Sequence, residues 1–150
     1  MDRYRLLQEE QVISHYMGGN RKAFQFCNLE TNTPFLRIAA RTNNGRVYVL
    51  RIELQNYPNA KPNAYVECML KDYRGHDMDG ASGSNHTLSA HEKGYTQICH
   101  YHPDAWRPDF SLWMVYIRCV MWLNMYEHSL ITGKPMDNDL PGHMQGDYES

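Results

Sequence analysis

The sequence predicts an α+β domain: an N-terminal helix, a four-stranded antiparallel meander, a long irregular loop and a long C-terminal helix. Three observations predict it. Residues 23–70 hold runs of strand formers separated by turn chemistry. Residues 112–132 hold helical periodicity. Residues 71–110, between them, hold no sustained period.

The elements follow in order. Residues 2–17 read as an amphipathic helix, with Leu6, Ile13, Tyr16 and Met17 near one face. Gly18 and Gly19 suit its end, since glycine accepts the left-handed conformation. "AFQFCNL" and "FLRIAAR" are two short strands, and "TNNG" is a turn, because Asn-Gly tolerates positive φ. "RVYVLRIEL" alternates, with Val47, Val49, Arg51 and Glu53 on one side and Tyr48, Leu50, Ile52 and Leu54 on the other. "NAYVECML" adds the fourth strand. Before it, Pro58 and Pro62 in "NYPNAKP" force a turn. The final helix has Ser111 as its N-cap and Gly133 as its stop. Leu112, Val115, Tyr116, Cys119, Leu123 and Tyr126 form its inward stripe. Trp113, Met114, Ile117, Val120, Met121, Trp122 and Met125 make its other faces apolar as well, so a second layer is expected to cover it. A homodimer through Trp113, Met121 and Met125 is one such cover. The polar tail from about residue 136 is expected to be loose.

At 150 residues the chain suits one domain over 1–150, large enough to need no disulfide or metal staple. Its net charge of −2 mixes both signs, with no basic block to favour nucleic acid. The charged start is no signal peptide, and the apolar run 112–123 is too short, and interrupted by Arg118, to span a bilayer. A cytoplasmic protein with four free thiols is the expectation.

Cys99, in "GYTQICHYHPDAW", poses the chemical question. Cys27, Cys68 and Cys119 read as core thiols, two in strands and one on the helix stripe. Cys99 lies among polar residues in the loop. It can be read as a metal ligand with His91, His100 and His102, and His76 and His86 nearby. Against this, the sequence has no CxxC and no helical HxxxH to set a tetrahedral zinc site. It can be read as a buried thiol. It can also be read as a nucleophile whose thiolate exchanges with a thioester. An aminolysis step would then need donors for the oxyanion and a setting that deprotonates the amine. His100 and His102 are candidates for that tuning, set against a reading as solvated loop histidines.

The ordered set of motifs resembles the ubiquitin-conjugating enzyme family, over roughly residues 2–135. "NYPNAKP" resembles the family's NYPxxPP turn. "GYTQIC" resembles the segment that ends in the catalytic cysteine. "WRP" (106–108) resembles the WSP that follows it, and the long helix with "MWL" and "TGKP" resembles the post-catalytic helix. The HPN tripeptide, whose asparagine is taken to support the oxyanion, is missing; Asn85, His86 or His91 could take its role. Its absence, with Trp122, Leu123, Tyr126 and Glu127 in a "WL…YE" pattern, looks more like the bacterial antiphage members. The resemblance implies a UBC-like fold and a transferase that needs no cofactor and no metal. Its partner would be the C-terminus of a ubiquitin-like protein or of a cGAS-like nucleotidyltransferase, with an activating enzyme as a further partner. A catalytically inactive binding module on the same fold is the alternative, and a zinc-site structural protein a third.

Overall fold

The computed structural model describes residues 1–101 and 103–136. His102 and the expected loose tail beyond 136 lie outside them. The order is α1 (Arg3–Tyr16), β1 (Phe24–Cys27), β2 (Phe35–Arg41), β3 (Val47–Glu53), β4 (Ala64–Val66), β5 (Thr87–Leu88), β6 (Thr96–Ile98), a 3-10 turn (Pro103–Ala105) and α2 (Leu112–Thr132). The strands form one antiparallel sheet in the order β1-β2-β3-β4-β6-β5. The chain is therefore α+β, but the sheet has six strands rather than four. The two extra strands come from the stretch expected to be irregular. They hold two and three residues, too few to show a period of two.

One sheet face carries the core. Leu36, Ile38, Leu50, Ile52, Leu54, Ala64, Val66 and Ile98 pack with Ile13 of α1 and the inward stripe of α2. The alternation expected in β3 is seen only in part: Leu50, Ile52 and Leu54 are buried and Val47 and Val49 are exposed, but Arg51, expected on the outer side, is buried too, with its guanidinium over the Phe35 ring.

The caps explain the helix limits. Asp2 accepts the Arg5 amide at 2.8 Å and Ser111 accepts that of Met114 at 3.1 Å. Gly133 ends α2 in the left-handed region at φ +69°. Glu9 adds a second support to α2: its carboxylate accepts the buried Leu112 amide at 2.6 Å, one of the donors no helical carbonyl can reach. Arg5 holds the same carboxylate at 3.1 Å and donates to the Tyr57 hydroxyl (2.8 Å) and the Phe110 carbonyl (3.0 Å). The helix start, the "NYPNAKP" turn and the entry to α2 are thus tied at one point.

Several expectations need correction. Tyr16 is exposed rather than inward, and stacks on Trp113 at 5.0 Å. Trp122 lies off the expected inward stripe, yet it is fully buried, because residues 85 and 86 reach across it. Met136, at the start of the expected loose tail, is fully buried in the core. Of the expected core thiols only Cys119 is buried. Cys27 ends the edge strand β1 and is half-buried; Cys68 lies just past the short β4 and is exposed.

Candidate functional site

Cys99 sits where β6 ends. Its amide donates to the His86 carbonyl at 2.9 Å, which carries the β5–β6 register one step further and sets His86 opposite Cys99. His86 takes φ +52° there, a conformation that non-glycine residues adopt only when the surroundings enforce it. The enforcing group is Trp122 of α2. Its indole N–H donates to the carbonyls of both Asn85 and His86, each at 3.1 Å.

The other wall is the "NYPNAKP" turn (56–62). Three contacts fasten it to the segment after Cys99. The Pro62 carbonyl lies 2.7 Å from Nε2 of His100, the Trp106 indole donates to the Pro58 carbonyl at 2.8 Å, and Nζ of Lys61 donates to the Tyr101 carbonyl at 3.1 Å. Below them Arg118 donates to the His100 carbonyl at 2.5 Å, with its guanidinium 4.2 Å from the centre of the Tyr101 ring. The Cys99 thiol, half-buried, faces the same Tyr101 carbonyl at 4.0 Å. Thiol and ammonium therefore converge on one oxygen. Burial lowers the pKa of Lys61, and Cys99 and Cys119 oppose that shift. The Cys119 thiol is pushed up to about 12 by burial, which leaves it protonated at neutral pH.

The sequence candidates separate into two places. The His86 backbone, with Asn85 before it, lies opposite Cys99. His100 is adjacent in sequence, but its ring is fully buried instead of solvated. Burial pushes it down to about 3, so it is a neutral wedge under the loop, with Nδ1 meeting no partner among the described residues. His91 is engaged elsewhere. Its Nδ1 accepts the Lys93 amide at 3.1 Å, which puts the ring proton on Nε2, and Nε2 faces Glu53 at 3.4 Å. Tyr65 and Tyr95 enclose that ring at 5.0 and 5.5 Å. Among the described residues no three His, Cys, Asp or Glu side chains gather into a metal site, so His91, Cys99 and His100 do not act as one ligand set.

No family model, curated protein or solved structure matches the chain. Among the described residues no helix is long and apolar enough to cross a membrane.

Sequence reasoning missed Lys61 and Arg118. Lys61 carried a signal, since it stands where the resembled NYPxxPP motif has a proline. Arg118 carried one too, as the single cation inside an apolar helical run; its role as a support for the loop needed the long-range closure to be seen.

Proposed function

We propose that the chain is a UBC-like, thioester-carrying transferase in bacterial antiphage defence. Cys99 accepts the C-terminal acyl group of a ubiquitin-like protein or cGAS-like nucleotidyltransferase and passes it to an amine. One observation carries the reading: "NYPNAKP" and the Cys99 segment, about forty residues apart in sequence, are fastened together by three hydrogen bonds around a half-buried thiol. In the first step the Cys99 thiolate attacks the partner's activated carbonyl and the partner's former carrier leaves as a thiol. In the second an amine attacks the new thioester. Asn85 and His86, whose backbone lies opposite Cys99, are the proposed donors to the oxyanion; losing one such donor typically costs about 2.7–4 kcal/mol of barrier.

The test combines this protein with the partner and its activating enzyme, and runs the products with and without reductant. A reductant-sensitive adduct lost in Cys99→Ala and kept in Cys27→Ala is the expected result. Stable partner binding without any adduct would instead favour the inactive binding module. A second copy of this chain is a further proposed partner through α2, where Met114 and Ile117 are exposed beside the half-buried Trp113 and Met121. Light scattering is expected to give a dimer; a monomer at every concentration would contradict it.

A further inference from the structure

Lys61 holds the largest unexplained charge in this corner. Its side chain is half-buried, it donates to a backbone carbonyl, and among the described residues no carboxylate pairs with it. A buried ammonium usually has a counter-ion, because desolvation otherwise favours its neutral form. The burial around Lys61 acts in that direction. A neutral amine is the species that attacks a thioester.

Geometry selects the thioester. Nζ of Lys61 and Sγ of Cys99 address the same oxygen, at 3.1 and 4.0 Å. The backbone around Lys61 is held on both sides, through Pro58 by Trp106 and through Pro62 by His100. The amine is therefore held on the oxygen that the thiol also faces, and placement of two groups on one anchor makes their encounter intramolecular.

We infer that Lys61 is an internal acyl acceptor for Cys99, and so a modification site. The inference rests on the reading of Cys99 as a thioester carrier. The Nζ lone pair attacks the thioester carbonyl; the N–C bond forms and the C–S bond breaks. The sulfur leaves with the bonding pair and takes up the proton that nitrogen releases. The products are the Cys99 thiol and an amide on Lys61, and no oxidant, reductant or second donor is consumed. An amide is more stable than a thioester, so the transfer runs downhill. The acyl class is an unhindered C-terminal acyl group, of which glycine is the simplest.

The test uses the full chain and a synthetic probe, the benzyl thioester of N-acetylglycine. Peptide mapping by mass spectrometry follows, before and after hydroxylamine, which cleaves thioesters and spares amides. The expected result is a hydroxylamine-labile adduct on Cys99 that converts to a resistant one on Lys61. Lys61→Arg keeps the charge but is not a nucleophile under these conditions; it should retain the labile Cys99 adduct and lose the conversion. Cys99→Ala should lose both. Lys61 acylation undiminished in Cys99→Ala would overturn the inference, and so would a wild-type Cys99 adduct that forms and stays. That last outcome leaves the transferase reading intact. Conversely, transfer of the probe to Lys61 with no adduct from any protein partner would sustain the inference and contradict the choice of partner.

Discussion

At His91, a largely buried imidazole faces Glu53 at 3.4 Å, and Arg51 meets the same carboxylate oxygen at 3.4 Å. At Cys99, a half-buried thiol lies beside Lys61 with a backbone carbonyl between them. Both clusters place titratable groups at the sheet and both restrict water. They differ in their counter-charge. Glu53 answers the Arg51 guanidinium, which also lies 3.6 Å from the centre of the Phe35 ring, and the cluster is electrically closed. Among the described residues no carboxylate answers Lys61. A closed cluster of this kind supports the fold, and the open one is where the proposed chemistry is sought.

The largest expected effect comes from removing the support under the Cys99 corner. Trp122 is fully buried and carries the bonds to Asn85 and His86. Trp122→Ala should cost about 3–5 kcal/mol in urea unfolding. A loss of under about 1 kcal/mol would mean that the turn opposite Cys99 is held by something else. At the other cluster, Glu53→Gln keeps the shape and removes the charge. It should cost about 1–3 kcal/mol, yet leave the rate of Cys99 adduct formation as in the wild type. A matching fall in that rate would make His91 part of the chemistry after all.

The third effect is one of pH. Burial pushes His100 down to about 3, with Lys61 and Arg118 acting the same way and the Pro62 carbonyl opposing. Between that value and an ordinary histidine pKa of about 6.5, the unfolded chain binds a proton that the folded chain refuses. Stability should therefore fall as pH drops from about 6.5 towards about 3, with no contribution from this group above that window. His100→Gln removes the titration, so the stability gap between wild type and variant should narrow from pH 7 to pH 5. A gap that stays constant would show that the folded ring takes up a proton as readily as the unfolded one. The smallest effect is that of Cys68→Ser. The residue is exposed, so the change should stay within about 0.5 kcal/mol and leave the adduct untouched.

What the sequence could reveal follows from the range of the interactions. Ser111 and Gly133 are local signals: a hydroxyl and a left-handed glycine each act within one turn, so both ends of α2 were legible. β3 was legible because seven residues give the inward set Leu50 and Ile52 room to repeat, but the burial of Arg51 was not, since it depends on Phe35 of the neighbouring strand. β5 and β6 were not, since they become strands only by pairing with each other and with β4. The burial of His100 depends on Pro62 from one side and Arg118 from another, neither near it in sequence. Cys68 failed as a core thiol because β4 stops two residues before it. Within the candidate site, Cys99 and the turn at 56–62 were visible as segments. Their union, and the placing of Lys61 against the thiol, belonged to the tertiary fold.

The most direct measurement is the position of the thioester itself. The adduct with the partner's C-terminus would be isolated without reductant, digested at mildly acidic pH to preserve the linkage, and mapped by tandem mass spectrometry across the four cysteines. A hydroxylamine-labile linkage at Cys99 alone is the expected result. A linkage at Cys27 or Cys68, or none at any cysteine, would contradict it.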